Sequence, residues 1–143
     1  MEKEFTEQQI MQNIKHEEQL LKGHYELMEK LRGLLLEANT TIETLEELQK
    51  NNEKVLFGVG SGVLIEAEAK QLKTCKRAIA EGTFAEENID EAIKHLKERQ
   101  EKIKLQLQAG EKKLAEINTN LSMWVQIANA IREQKKKQIS ISK

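Results

Sequence analysis

The fold is decided by one stretch near the middle of the chain, Val55–Ala69, whose sequence is VLFGVGSGVLIEAEA. Three glycines, at positions 58, 60 and 62, stand there among β-branched and other apolar residues. On both sides the sequence is rich in Glu, Lys, Gln and Leu and contains few glycines. The stretch therefore separates two regions of a different character, and it could form a phosphate-binding loop, a helix or a β-hairpin.

The composition favours long helices over a compact globule. Aromatic residues make up only 3% of the 143 residues, proline is absent, and charged residues account for 33%. A bias toward Ala, Glu, Lys, Leu and Gln is typical of coiled coils. The formal net charge of −1 argues against a general affinity for nucleic acid or for an anionic membrane surface.

Features of membrane and secreted proteins are also missing from the sequence. It has no apolar run long enough to cross a bilayer, and no basic segment followed by an apolar one at its N-terminus. The single cysteine, Cys75, cannot form an internal disulfide bond, as expected for a reducing compartment. We therefore expect a cytoplasmic protein that binds neither nucleic acid nor membrane.

A regular apolar repeat runs through the region that follows the middle stretch. Alternating steps of four and three residues from Ile89 to Ile131 meet an apolar residue at almost every position, and only Gln100 and Gly110 interrupt the series. Such a repeat keeps one apolar stripe against a partner only when helices supercoil around each other. Asn88 is a suitable N-cap for this helix.

The region before the middle stretch repeats the pattern less strictly. The same spacing runs from Ile10 to Leu45, with Glu17 and His24 as polar exceptions. Thr6 and Gln9 have the spacing of a capping box, and a second file of leucines widens the stripe: Leu20, Leu27, Leu34 and Leu48. Two helices of similar length around a short insert are expected to pair as an antiparallel coiled-coil hairpin.

The middle stretch is interpreted best as strands. A P-loop requires Lys and then Ser or Thr after its last glycine, whereas Val63 and Leu64 follow Gly62. A helix over Glu66–Ala80 remains an alternative on local propensity. Apolar arms around Gly60–Gly62 indicate a β-hairpin, and a weaker second one is centred on Ala80–Gly82. Because isolated hairpins are unstable in water, these must join strands of other subunits.

These elements predict a mainly α fold with a small β head, in a single domain over residues 1–143. The segments are an N-terminal helix over 6–54, two β-hairpins over 55–86, a C-terminal helix over 88–136 and a flexible tail over 137–143.

The chain resembles the α-type subunits of prefoldin. The first hairpin of that family is matched by Leu56–Gly62 together with Ile65–Ala67, and the second turn by the segment that ends at Gly82. The start of the family's second helix is matched by Asn88–Ile93. Two hairpins, instead of one, distinguish the α type from the β type.

Three positions depart from the family pattern. Gly58 stands where a proline is usual, Ala80 stands where the second turn often has another glycine, and Lys76 and Arg77 lie in a strand that is normally apolar. These departures concern the form of the hairpins, mainly the second one.

The resemblance implies an ATP-independent chaperone, a holdase, that has no enzymatic activity and no cofactor. Two α and four β-type subunits would form a hexamer in which the hairpins build an intersubunit β-barrel. The free tips of the coiled coils would bind unfolded client proteins and deliver them to a group II chaperonin.

On this basis the candidate functional residues form two sets. Client binding is assigned to apolar residues of the first and last helical turns: Phe5, Ile10, Met11, Val125, Ile127 and Ile131. Oligomerisation is assigned to apolar residues of the hairpins: Leu56, Val59, Ile65 and Ile79. No catalytic residue is predicted and no metal site is predicted, because His16, His24 and His95 lack any ligand spacing.

Two other functions stay open at this point. One is a structural or adaptor coiled-coil protein in which the middle stretch is a helical elbow. The other is a filament-forming prefoldin-like protein whose hairpins add end to end.

Overall fold

A computed structural model describes residues 4–50, 54–68 and 72–142. In chain order the elements are α1 (Glu7–Lys50), β1 (Lys54–Gly60), β2 (Val63–Glu68), β3 (Thr74–Ala80), β4 (Thr83–Asn88) and α2 (Ile89–Ile141). This order confirms the mainly α fold with a β head. The helix considered for Glu66–Ala80 was wrong, since strands occupy both ends of that segment.

The observed helix ends differ in part from the predicted ones. The capping box is present: the Gln9 N–H donates to Thr6 Oγ1 at 3.2 Å, and the Thr6 N–H donates to Gln9 Oε1 at 2.9 Å. Asn88 is the last residue of β4 and immediately precedes α2, which continues past the predicted end at 136 to Ile141. Lys54 already belongs to β1, while residues 51–53, Ala69 and Lys143 lie outside the described residues.

The chain divides into two compact units, which we call the terminal unit (residues 1–32 and 105–143) and the hairpin unit (residues 33–104). In the hairpin unit, the core consists of Ile42, Ile89 and Ile93, against which Leu45, Cys75 and Leu96 pack. One helix here supplies Ile42 and the other Ile89 and Ile93, so the apolar repeat does face a partner helix.

Polar pairs fix the direction of the two helices in the hairpin unit. Gln49 Nε2 donates to Asp90 Oδ1 at 2.8 Å, Lys97 Nζ lies 3.6 Å from Glu46 Oε1, and the Gln100 amide donates to Asn39 Oδ1. The residue number falls along α1 as it rises along α2, so these segments run antiparallel, as predicted.

The terminal unit shows the same antiparallel pairing. Glu7, at the start of α1, forms an ion pair of 2.5 Å with Lys135, near the end of α2. Farther along, Met28 of α1 packs directly against Gly110 of α2. Ile10, Met28 and Ile117 are buried between the two segments.

The two hairpins have the same construction. Each is a separate two-stranded antiparallel sheet, and each has a register shift just before its turn, between Gly58 and Gly60 in the first and between Ala78 and Ala80 in the second. In the first turn Ser61 and Gly62 both have positive φ, 50° and 76°, the requirement of a type I′ turn.

In the second turn Gly82 adopts φ 72°. A glycine is therefore needed at the same place in both turns, because this left-handed conformation is costly for other residues. The glycine spacing of the sequence thus encodes two reversals of the chain.

Within the described ranges, no helix combines the length and the apolar content that crossing a membrane requires.

Candidate functional site

The hairpins carry large apolar side chains that the described part of the chain leaves exposed. Eight of them are exposed: Leu56, Phe57, Val59, Val63, Leu64, Ile65, Ile79 and Phe84. All lie on two-stranded sheets, each of which leaves the outer edges of both strands unpaired. Exposed apolar residues concentrated in this way are typical of an interaction site, and open strand edges can accept further strands.

The four predicted oligomerisation residues do not share one face. Ile65 lies directly opposite Phe57, whereas Leu56 lies opposite Glu66, on the other face of the first sheet. Val59 and Ile79 occupy equivalent places at the register shifts of β1 and β3. All four are at least half exposed in the single chain. Both faces of the first hairpin therefore present apolar groups.

Four members of this surface were not predicted from the sequence: Phe57, Val63, Leu64 and Phe84. Phe57, Val63 and Leu64 lie within Val55–Ala69, so their apolar character was visible. Their place became clear only with the register, which sets Phe57 against Ile65 and Phe84 against Ala78.

A charged cluster attaches the second hairpin to α2. The Glu87 carboxylate accepts a hydrogen bond of 2.7 Å from Arg77 Nε, and its other oxygen lies 3.8 Å from His95 Nε2. Only 15% of the Glu87 side chain is exposed. Because Arg77 is on β3, Glu87 on β4 and His95 on α2, this cluster joins three elements. It also gives a role to Arg77, which departs from the family's apolar pattern.

Cys75 lies opposite Glu87 in the same hairpin and packs on the core of the hairpin unit. Burial raises the pKa of the Cys75 thiol, and the Glu87 carboxylate raises it further, while the Arg77 guanidinium lowers it. The thiol is therefore held in its protonated form over a wider pH range than a free cysteine.

The terminal unit carries a second apolar region, at the beginning of α1 and the end of α2. The rings of Phe5 and Trp124 meet edge to face with their centroids 5.0 Å apart, a favoured aromatic geometry. Phe5 and Val125 remain exposed, while Ile127 and Ile131 are half-buried. The contact between Trp124 and Phe5 was not predicted from the sequence.

A cleft of about 370 Å³ opens between the two helix ends. Its lining residues are Glu7, Ile10, Met11, Ala128, Ile131 and Arg132. Three of the predicted client-binding residues, Ile10, Met11 and Ile131, thus come together here. They differ in access, because Met11 is 54% exposed whereas Ile10 is only 1% exposed. Ile10 therefore holds the helices together at the base of the cleft, and its side chain presents almost no surface.

Two polar side chains interrupt the apolar packing of the terminal unit. Glu17 Oε2 and His24 Nε2 are buried and have no hydrogen-bond partner within the described part of the chain. A buried polar atom without a partner costs about 1–3 kcal/mol, so these two positions weaken the helix pairing.

In the described part of the chain, no three His, Cys, Asp or Glu side chains are grouped as a metal site would require.

Comparisons with known proteins agree with this architecture. The family model described as prefoldin subunit matches residues 10–134. The fold is also similar to a chain of the filamentous PFD from Methanocaldococcus jannaschii, solved by cryo-EM. That match has a TM-score of 0.67 and 17% sequence identity, and it covers 80% of this chain and 96% of the other. No curated protein gives a significant match. With the family model spanning both helices and both hairpins, the chain belongs to the prefoldin family.

Proposed function

We propose that the chain is an α-type prefoldin subunit, a non-enzymatic holdase that works in the cytoplasm without ATP. The observation that carries this proposal is that each unit has its own exposed apolar surface, on the hairpins in one and at the helix ends in the other. One surface is available for assembly and the other for clients.

The hairpins are the region through which we propose that the subunits assemble. Two-stranded sheets are at most marginally stable alone, and these two expose apolar side chains together with open strand edges. Strands from β-type prefoldin subunits would cover both. We propose a hexamer of two α and four β subunits, in which Leu56, Val59, Ile65 and Ile79 lie at subunit contacts.

The terminal unit is the region through which we propose that the chain binds unfolded clients. Phe5, Met11 and Val125 offer exposed apolar area, while Ile127 and Ile131 are partly covered. Apolar contact contributes about 25 cal/mol per Å², so one small surface binds an unfolded segment weakly. Several copies in one assembly would hold a client together with much higher avidity.

Delivery to a group II chaperonin completes the proposed function. It is supported by membership of the prefoldin family and by the resemblance to α-type subunits.

The test measures both the assembly of the chain and its ability to keep an unfolded client from aggregating. The full chain is purified alone and with a β-type prefoldin subunit, its mass is measured by sedimentation, and aggregation of a diluted denatured client is followed by light scattering without ATP. We expect a discrete hexamer that suppresses scattering and then releases the client to a group II chaperonin.

Other outcomes separate the alternatives. A long polymer from the chain alone would favour a filament-forming prefoldin. A chain that neither associates with the β-type subunit nor suppresses scattering would contradict the proposal and favour an adaptor coiled coil.

A further inference from the structure

We propose that the cleft at the helix ends selects client segments in which a bulky apolar residue stands next to an acidic one. This inference rests on the proposed holdase function and adds a preference to it. The apolar side chain would enter the cleft, and the neighbouring carboxylate would bind Arg132 at its rim.

The base and walls of the cleft suit a single apolar side chain. Ile10, Met11, Ala128 and Ile131 supply aliphatic and thioether surface, and the volume of about 370 Å³ accommodates one aromatic or long aliphatic group. Met11 is 54% exposed, and its flexible thioether can adapt to side chains of different shape. The cleft is therefore selective for apolar character and tolerant of shape.

Among the residues that the structure describes, one charged side chain at the rim of the cleft is unpaired. Of its two charged residues, Glu7 is already neutralised by Lys135 at 2.5 Å. Arg132 has no ion-pair or hydrogen-bond partner among the residues that the structure describes. A guanidinium group presents several N–H donors in a plane and binds carboxylates with two parallel hydrogen bonds. The group that this rim lacks is an anion.

The lysines at the end of α2 also favour an acidic client residue. Lys136 and Lys137 follow Lys135 on the exposed end of α2. The acidic residues nearby in sequence are Glu2, Glu4, Glu7 and Glu133, and Glu7 is paired with Lys135. A basic client residue beside the apolar one would meet Arg132 and would be repelled. We therefore expect the order of affinity acidic, then neutral, then basic.

The experiment measures this order directly. Three unfolded peptides of identical sequence, amidated at the C-terminus and labelled at the N-terminus, carry Glu, Gln or Lys beside a central Leu-Phe pair. Their binding to the full chain in its assembled form is measured by fluorescence anisotropy. Because exposed ion pairs contribute little, we expect the Glu peptide to bind about two- to fivefold more tightly than the Gln peptide, and 0.5 M salt to remove the difference.

Variants assign the preference to the cleft. Arg132→Gln should abolish the preference for Glu, and Arg132→Glu should reverse it in favour of Lys. The matched control is Arg99→Gln, an exposed arginine of the hairpin unit, which should leave the preference unchanged. Met11→Ser should weaken the binding of all three peptides equally. Met11 is exposed, so this change leaves the core intact.

Equal binding of the three peptides by the unaltered protein, or a loss of preference in Arg99→Gln as large as in Arg132→Gln, would overturn this inference while holdase activity stands. Failure of all peptides to bind, together with no suppression of client aggregation, would overturn the proposed function itself.

Discussion

Met28 fills the space that Gly110 leaves on the facing helix. Met28 is fully buried, and a Cβ atom added at Gly110 would overlap its sulfur, well inside van der Waals contact. Gly110 interrupts the apolar repeat of α2, and glycine inside a helix costs about 1 kcal/mol relative to alanine. The close approach of the methionine explains why a glycine is nevertheless suitable here.

Gly110→Ala should therefore destabilise the protein. The gain in helix propensity is about 1 kcal/mol, whereas forcing a methyl group into a filled site costs about 1–3 kcal/mol. The free energy of unfolding, measured with urea, should fall. Gly23→Ala is the control, because a Cβ there meets nothing within 4 Å and the helix should gain stability.

A double-mutant cycle tests whether Met28 is the cause. Met28→Ala alone should cost about 2–5 kcal/mol because it leaves a cavity. If the two residues compete for one space, Gly110→Ala should cost little or become stabilising in the Met28→Ala background. Strictly additive effects would mean that Gly110 acts through another neighbour.

Much of the fold follows from patterns within the sequence. Heptad spacing predicted two paired helices, and the glycines at 60, 62 and 82 predicted both turns. The end of α2 was harder to place, and residues 137–143 were expected to form a flexible tail. Yet no proline or glycine follows Gly110, so nothing in the sequence stops the helix before Ile141.

Glu17→Leu should stabilise the terminal unit. Glu17 Oε2 is buried without a partner, and replacing it with an apolar group removes a desolvation cost of about 1–3 kcal/mol. The midpoint of urea unfolding should rise. Glu18→Leu, at the exposed neighbouring position, serves as control and should change the free energy of unfolding by less than about 0.5 kcal/mol. A lower midpoint for Glu17→Leu would indicate that the carboxylate is satisfied in solution.

Ile65→Lys should disrupt assembly and leave the helices intact. In the single chain Ile65 is exposed opposite Phe57, so a lysine there is tolerated by the monomer. In a subunit contact the same charge would be buried unpaired, at a cost of several kcal/mol. Sedimentation should show smaller species, while circular dichroism keeps its helical signal. Leu105→Lys, at an exposed site on α2 outside the hairpins, should assemble normally.

The candidate sites were less accessible to sequence reasoning than the fold. Apolar residues at the helix ends were recognisable, but the spacing alone could not distinguish Met11, which is exposed, from Ile10, which is buried. Arg132 and Glu7 both look like ordinary surface charges in the sequence. Only the packing of the two ends shows that Lys135 pairs with Glu7 and that Arg132 has no partner among the described residues.

The reactivity of Cys75 should report the electrostatics of the second hairpin. It is the single cysteine, so alkylation by iodoacetamide measures one site. Burial and then Glu87 raise its pKa, which lowers the thiolate fraction at pH 8, and only the thiolate reacts. The rate should be below that of the denatured protein and should still climb above pH 8.5, near which a free thiol is already half ionised.

Two substitutions should change the alkylation rate of Cys75 in opposite directions, and this distinguishes an electrostatic effect from an effect of solvent access. Glu87→Gln removes the negative charge that raises the Cys75 pKa, so alkylation at pH 8 should become faster. Arg77→Gln removes the charge that lowers the pKa, so alkylation should become slower. Both changes break the bridge between the strands, so if loosening of the hairpin controlled the rate, both would accelerate it. The raised pKa of Cys75 also means that the folded state favours the protonated thiol. The contribution of this preference to the free energy of unfolding should be present below about pH 8.5 and be lost as the pH rises further.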